Sequence, residues 1–253
     1  MDERASRGFA AAAEDYAAYR PSYPPAAVAF IREAAALDEH STVIDLAAGT
    51  GLMTCLLPPV ARLVAIEPVA EMREALRLRV PEAEVLEGTA EEMPLPSAIA
   101  DAVVVAQAFH WFANSAAVRE IARVLKPDGA LILVWNIRDP GDPLMTGIDA
   151  VLAPYRSTSP GYASTGWRDV LEEADSPLEL MSQRTFAFEE PTTLRHLKGR
   201  VLSTSYVALL EGGLQSEVMR RLEELMGSKD GDTPVRMKYR TEVFSIEKRP
   251  GDP

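Results

Sequence analysis

The residues best suited to chemistry follow the first predicted strand, where an acid precedes a run of small residues. Asp45, Ala47, Gly49 and Gly51 are spaced two residues apart, in the pattern D-x-A-x-G-x-G. Glycine lets the backbone come close to a ligand. A carboxylate in such a turn suits a cationic amino acid but is badly placed beside a diphosphate. The turn therefore predicts a nucleotide-like ligand that carries an ammonium group and no phosphate.

Two further segments follow the next two predicted strands. Glu67 closes the second strand, where a carboxylate can accept hydrogen bonds from both hydroxyls of a ribose. The alternative for Glu67 is a solvated acid at the end of a strand. Thr89, Ala90 and Glu91 follow the third strand and can present a backbone N–H and a carboxylate to an adenine edge. An exposed helix start is the competing interpretation of that segment.

One titratable side chain, His110, follows the fourth predicted strand on the side of the glycine turn. An imidazole there could act as a base toward a hydroxyl or acid of a second ligand. The alternative is that His110 and Trp111 are packing residues that support the turn. Asn136 and Arg138 follow the fifth predicted strand at the same edge, where they are candidates for contacting the second ligand.

These side chains need a scaffold that gathers the ends of several strands. Helical spacing is found at residues 26–37, 71–80 and 115–125, and strand-like apolar runs at 42–47, 62–67, 83–88, 101–107 and 130–136. Such alternation predicts right-handed βαβ crossovers and a doubly wound parallel sheet, with ligands outside the carboxyl ends of its strands. The segment LMTCLL after the glycine turn predicts a helix, which Pro58 and Pro59 stop early.

The pattern loosens after residue 137. Helical segments are predicted near 144–155, at 167–174 and, as two or three helices, within 192–226. Alternating apolar and polar residues predict strands at 178–190 and 235–248.

Composition and charge narrow the function classes. Hydrophobic residues make up 47% and charged residues 25%, as in globular proteins, and the net charge of −12 disfavours a nucleic-acid substrate. The single cysteine, Cys55, excludes an internal disulfide and fits a reducing cytosol. The N-terminus does not resemble a signal peptide, and no run of roughly 18 apolar residues predicts a membrane span. No His/Cys cluster has metal-ligand spacing, so no metal is expected.

Five ordered segments carry a resemblance to a known family: DLAAGTG, AIEP, EGTAEEMPLP, DAVVVAQAFHWF and EIARVLKPDGALILVWN. With the opening YAAYRPSYP and the closing MKYRTEVFSI, they resemble class I S-adenosylmethionine-dependent methyltransferases, most of all the small-molecule "type 11" branch. The likeness spans most of the chain and is weakest from about residue 139 to 200. One departure is Ala47, which stands where the family usually has glycine.

The resemblance implies an α/β fold. The expected architecture is a Rossmann-like, doubly wound, mostly parallel seven-stranded sheet whose last strand is antiparallel, with an N-terminal helical lid and a helical insertion toward the C-terminus. We expect one domain over residues 1–253. Its parts are a lid and helix (1–37), a cofactor-binding core (38–137), a variable helical cap with one strand (138–234), and the final strand and tail (235–253).

The resemblance also implies a cofactor, S-adenosylmethionine, and its product, S-adenosylhomocysteine. The residues that it assigns to the cofactor are Asp45, Ala47, Gly49, Gly51, Glu67, Thr89, Ala90, Glu91, Gln107, Tyr16 and Arg20. The glycine turn would approach the methionine part, Glu67 the ribose, and residues 89–91 the adenine, with Gln107 lining the floor. Tyr16 and Arg20 would belong to a lid in which Arg20 pairs with the cofactor carboxylate. The alternative is that tyrosines and prolines simply pack this segment on the sheet.

For the acceptor, the expected contacts are Tyr23, Trp111, Asn136 and Arg138, with His110 as a base. The expected function is methyl transfer to a small-molecule acceptor, in specialised metabolism and in the cytoplasm, by a monomer or homodimer without nucleic-acid or membrane partners. Three alternatives stay open. A methyltransferase-like enzyme could keep the cofactor and catalyse a cyclisation or rearrangement, or a non-catalytic binding protein could use the same fold. A nicotinamide dehydrogenase is the least favoured, because the third glycine of its fingerprint is missing.

Overall fold

One sheet organises the part of the chain that the computed structural model describes, residues 19–156, 166–173 and 175–249. Its strands are β1 (Thr42–Leu46), β2 (Arg62–Ile66), β3 (Glu84–Leu86), β4 (Ala100–Ala106), β5 (Leu125–Arg138), β6 (Leu178–Thr193) and β7 (Pro234–Lys248). They lie in the order β3-β2-β1-β4-β5-β7-β6. Strand β7 is antiparallel to both neighbours, and the other pairs are parallel. The predicted mostly parallel seven-stranded sheet with an antiparallel last strand is confirmed.

The strand order reverses at β1, which lies between β2 and β4. Asp45 pairs in register with Ala65 of β2 on one side and with Val104 of β4 on the other. In doubly wound sheets a crevice opens at this switch point, outside the carboxyl ends of the strands. The turn that follows β1 therefore borders the crevice.

Helices cover both faces of the sheet, because its strands are apolar on both sides. They are α1 (Pro25–Ala34), α2 (Ala70–Arg79) and α3 (Ser115–Val124). Val43 packs with α1 on one face, whereas Ile44 packs with α3 on the other. The side chain of Asn114 caps α3 by accepting the N–H groups of Ala116 and Ala117. Because β1 is packed on both faces, its carboxyl end is held in place, and so is the start of the glycine turn that follows it.

The C-terminal helices form a cap with its own apolar core. They are α4 (Pro143–Leu152), α6 (Leu194–Leu202), α7 (Ser205–Ala208) and α8 (Gly212–Met226), whereas the short helix α5 (Asp169–Glu172) packs in the core of the sheet. Met145 of α4, Leu197 of α6 and Leu222 of α8 are fully buried together with Tyr239 of β7. The long strands β6 and β7 thus join the cap to the sheet. No helix among the described residues combines the length and apolarity needed to cross a bilayer.

The prediction of a helix after the glycine turn was wrong. The segment forms only a single 3-10 turn, Thr54–Leu56. Leu57 is already extended, at φ −62° and ψ 145°. A residue before proline is disfavoured in the helical region, so Pro58 forces Leu57 into an extended conformation and the helix cannot continue past Leu56. Several other elements are shorter than predicted: α1 ends at Ala34, α5 spans only Asp169–Glu172, and β3 spans only Glu84–Leu86.

Candidate active-site cleft

The turn after β1 is built on left-handed backbone. Ala47, Gly49 and Gly51 have φ angles of 56°, 59° and 81°. Glu67 clamps this turn, because its Oε2 accepts the Gly49 N–H at 2.9 Å while its Oε1 accepts the Val69 N–H at 2.9 Å. The acid at the end of β2 thus fixes the glycine turn at the end of β1.

A cleft with about 590 Å³ of empty space, part of it open to solvent, lies at this edge of the sheet. The residues that line it are Arg20, Pro21, Tyr23, Asp45, Ala47, Ala48, Gly49, Thr50, Leu52, Met53, Ala106, Gln107, Asn136 and Arg200. They come from the N-terminal segment, the glycine turn, the ends of β4 and β5, and α6. Gln107, like Ala47, has a positive φ, 62°. Strained backbone of this kind is concentrated at functional sites.

Asp45 supplies the negative charge of the cleft. Its side chain is almost fully buried, and its Oδ2 accepts a hydrogen bond from Thr54 Oγ1 at 2.5 Å. Its Oδ1 is buried and accepts no hydrogen bond from the described residues. Thr50 Oγ1 is likewise buried without a hydrogen-bond partner among them. Burial raises the pKa of Asp45 to about 7, the Thr54 hydrogen bond opposes that rise, and the charge of Glu67 adds to it. A cationic partner is what this carboxylate lacks.

The N-terminal segment, residues 19–23, crosses the cleft and contacts both of its sides. The ring of Tyr19 packs against Gly199 of α6 and lies 5.1 Å from the His196 ring. Arg20 Nη2 donates to the Ser203 carbonyl at 3.2 Å. Asn136 Nδ2 donates to the Ser22 carbonyl at 3.0 Å. The segment therefore bridges α6 and the end of β5.

The cleft brings together seven of the residues predicted from sequence. They are Arg20, Tyr23, Asp45, Ala47, Gly49, Gln107 and Asn136. Tyr16 lies outside the described residues. Gly51 is not in the lining: a Cβ there would come 3.1 Å from Leu76, so its place in the turn serves packing against α2. Glu67 is also behind the lining, 4% exposed, and burial raises its pKa.

The segment after β3 lies outside the cleft lining. Thr89 donates its N–H to the Glu92 carbonyl at 3.1 Å, which closes a tight turn. Ala90 is buried, whereas Glu91 is exposed and accepts a hydrogen bond from Asn114 Nδ2 at 3.0 Å. The adenine assignment of this segment stays a prediction.

His110 and Trp111 also lie outside the lining. Trp135 Nε1 donates to His110 Nδ1 at 3.3 Å, and the His110 and Trp111 rings are 5.3 Å apart. Burial lowers the pKa of His110 to about 4. These features favour the packing interpretation over a base, because a base works best with a pKa near the working pH. Arg138 pairs with Asp149 at 2.8 Å, outside the lining as well.

Two polar residues of the cleft were missed from sequence. Thr50 lies between Gly49 and Gly51 of the motif, so its position in the glycine turn could have identified it as a residue of the cleft. Arg200 is one basic residue on an amphipathic helix, and nothing in the local sequence marks it. Among the described residues, no group of three His, Cys, Asp or Glu side chains could hold a metal ion.

These residues fit the cofactor that the resemblance implies. The unpartnered Oδ1 of Asp45 suits the ammonium of an amino acid, and Arg20 suits its carboxylate. The left-handed turn at Ala47 and Gly49 brings backbone to the same wall.

Comparisons with known proteins agree with this geometry. A type 11 family model described as "Methyltransferase domain" matches residues 44–133. An uncharacterised methyltransferase-like protein of Schizosaccharomyces pombe is 32% identical over 241 residues, which cover 93% of each chain. An uncharacterised methyltransferase of Mycobacterium tuberculosis is 37% identical over 206 residues, covering 75% of this chain and 82% of that one.

A solved structure shows the same fold. It belongs to a type II methyltransferase candidate from Anaeromyxobacter dehalogenans and is similar with a TM-score of 0.70 at 21% identity. The match covers 91% of this chain and 98% of that one. The cofactor of the matched family is S-adenosylmethionine, as expected for this chain. The chain therefore belongs to the class I S-adenosylmethionine-dependent methyltransferases, in the type 11 family.

Proposed function

We propose that this methyltransferase acts on a small-molecule acceptor that enters the cleft beside the cofactor. The observation that carries the proposal is the buried, unpartnered Oδ1 of Asp45 in the wall of a cleft covered by the segment around Arg20. Small-molecule sites are typically concave and place a few polar groups together, and Asp45, Gln107 and Asn136 all line this cleft. The net charge of −12 disfavours a nucleic-acid acceptor.

Asp45 and Arg20 would hold the amino acid part of the cofactor. The Asp45 carboxylate would accept from the ammonium group, and the Arg20 guanidinium would donate to the carboxylate. Both are charge-assisted hydrogen bonds, which are roughly twice as strong as neutral ones. When bound, S-adenosylmethionine supplies a methyl group on a sulfonium, which is a good leaving group.

Glu67 and the segment after β3 would hold the nucleoside. Each Glu67 carboxylate oxygen accepts one backbone N–H and keeps capacity for a ribose hydroxyl. Thr89, Ala90 and Glu91 would border the adenine. Glu67 would then couple the glycine turn to the ribose, because the same carboxylate would accept hydrogen bonds from both.

The chain contributes alignment to the reaction rather than proton transfer by His110. Displacement at a methyl group is accelerated when the nucleophile and the leaving group are held in line. A base is needed only where the nucleophile carries a proton that must leave by the transition state. Gln107 and Asn136, at the ends of β4 and β5, line the cleft where they can orient an acceptor.

Transfer of a labelled methyl group tests the proposal. The protein is incubated with methyl-labelled S-adenosylmethionine and a small-metabolite extract, and the products are separated and weighed by mass spectrometry. We expect a labelled small molecule that is one methyl group heavier than its precursor. Asp45→Asn should abolish the labelling, whereas Asp128→Asn, at an exposed position of β5, should not change it.

Two results would contradict the proposal. Cofactor binding without any labelled acceptor, but with a product of unchanged mass, would favour cyclisation or rearrangement. Failure to bind either S-adenosylmethionine or S-adenosylhomocysteine in calorimetry would favour a non-catalytic protein on this fold.

A further inference from the structure

Helix α6 places a buried arginine in the wall of the cleft. Arg200 is 7% exposed and lines the cleft. Burying a guanidinium is costly unless it is paired and hydrogen-bonded. Burial lowers the pKa of Arg200 to about 10, so the side chain keeps its charge at neutral pH. A charge held there needs an anion close by.

The neighbours of Arg200 satisfy that need only in part. Its side chain donates no hydrogen bond to a described residue, and its buried Nη1 lies 3.5 Å from Glu190 Oε2, in a loose ion pair. The guanidinium also lies over the Tyr239 ring, 4.6 Å from the centroid. A guanidinium carries five N–H donors in a planar fork. Donors of Arg200 therefore remain for a ligand.

Two more arginines concentrate positive charge beside Arg200. Arg20 and Arg138 both lower the pKa of Arg200 by repulsion, and Arg20 also lines the cleft. Arg138 pairs with Asp149, which it shares with Arg156. Like charges gathered at one cavity wall raise the local affinity for an anion.

We infer that Arg200 holds a carboxylate of the acceptor, an inference that rests on the proposed function. Charge balance supports it. The amino acid part of the cofactor brings one ammonium group, for Asp45, and one carboxylate, for Arg20. Arg200 is then left for the acceptor, and its planar fork matches a carboxylate in shape. The planar fork pairs with the two coplanar oxygens of a carboxylate, so we assign the acceptor to the small carboxylic acids, with inorganic phosphate as the competing anion in the test.

Binding of simple anions tests this inference. The protein is saturated with S-adenosylhomocysteine and titrated in a calorimeter with succinate and benzoate, with the uncharged succinamide and benzamide, and with inorganic phosphate. Wild type, Arg200→Gln and Arg200→Lys are compared. Arg195→Gln is the matched control, because Arg195 is on the same helix in an exposed ion pair with Asp232.

We expect wild type to bind a carboxylate at least about tenfold more tightly than its amide. Arg200→Gln should lower the carboxylate affinity about tenfold or more, and Arg200→Lys should retain part of it. Affinity for S-adenosylhomocysteine should stay within about twofold in every variant, as should carboxylate binding by Arg195→Gln. The melting temperature with the cofactor product bound checks that each variant is folded, and Arg200→Lys keeps the charge if Arg200→Gln does not fold.

Four results would overturn the inference. The first is that wild type binds no carboxylate up to about 10 mM, and the second is that Arg200→Lys or Arg200→Gln binds carboxylates as tightly as wild type does. The third is that wild type binds phosphate but no carboxylate. The fourth is that the variants lose affinity for S-adenosylhomocysteine and keep their affinity for carboxylates. The last result would assign Arg200 to the cofactor. Failure of wild type to bind S-adenosylhomocysteine would instead contradict the proposed function, which separates the two failures.

Discussion

At the scale of the residue, Asp45 carries a cost in the ligand-free protein. Its pKa rises from 3.8 to about 7 on folding, mainly because burial disfavours the charged form. The folded chain therefore keeps the proton to a higher pH than the unfolded chain does. The stability that this group contributes is fully present below pH 3.8 and is lost as the pH rises through about 7.

Asp45→Asn should therefore stabilise the ligand-free protein at neutral and alkaline pH. At about pH 8 the free energy of unfolding should rise by about 1–2 kcal/mol, because the variant removes a buried charge. The gain should shrink as the pH falls toward 3.8, where the wild-type carboxyl is protonated in both states. Urea unfolding at several pH values measures it. A loss of stability at about pH 8 would show that Asp45 is already well compensated.

Ala47 pays a backbone cost at the position where the family usually has glycine. Its φ of 56° is left-handed, which costs an L-residue roughly 1–2 kcal/mol. Ala47→Gly should raise the free energy of unfolding by about 0.5–1 kcal/mol after the greater freedom of glycine in the unfolded chain is subtracted. Ala48→Gly is the matched control, since the φ of Ala48 is not positive, and should destabilise. Equal effects of the two variants would contradict strain at Ala47.

At the scale of the element, the contact between the N-terminal segment and α6 depends on a glycine, Gly199, whose lack of a side chain leaves room for the Tyr19 ring. A Cβ at Gly199 would come 2.5 Å from the Tyr19 ring. Gly199→Ala should therefore displace Tyr19, and Arg20 beside it, although alanine favours the helix itself by about 1 kcal/mol. We expect affinity for S-adenosylhomocysteine to fall about three- to tenfold, as measured by calorimetry.

A double variant and a control isolate this contact. With Tyr19→Ala present, Gly199→Ala should lose its effect on affinity, because the clash is gone. Gly213→Ala in α8, where a Cβ would meet nothing within 4 Å, should leave affinity unchanged and stabilise the helix. An equal loss of affinity with and without Tyr19 would show that the segment does not act through Gly199.

At the scale of the whole molecule, the sheet and the approximate positions of the cap helices could be predicted, whereas the packing of the cap over the cleft could not. The first five strands are apolar runs and the last two alternate apolar and polar residues, so all seven could be predicted from local sequence. The helix after the glycine turn was mispredicted, because the apolar LMTCLL pattern outweighed the effect of Pro58 on the residue before it.

The residues of the candidate site also fall into two groups, those that a local motif identifies and those that only the folded structure brings to the cleft. Asp45 and Gly49 are set by a motif that is local in sequence, so both could be identified from it. Arg200 enters the cleft only because α6 packs against strands that are distant in sequence, as its own position over the Tyr239 ring shows. No local pattern encodes that placement.

Titration of S-adenosylmethionine into wild type and Asp45→Asn between about pH 5.5 and 7 tests the central claim most directly, since an amino group keeps its proton there. If the Asp45 carboxylate receives the ammonium group, wild-type affinity should rise as the pH approaches about 7. Asp45→Asn should bind at least about tenfold more weakly and without that pH dependence, while Asp128→Asn should follow wild type. Equal affinities of wild type and Asp45→Asn across this range, or tighter binding of a nicotinamide dinucleotide, would contradict the claim.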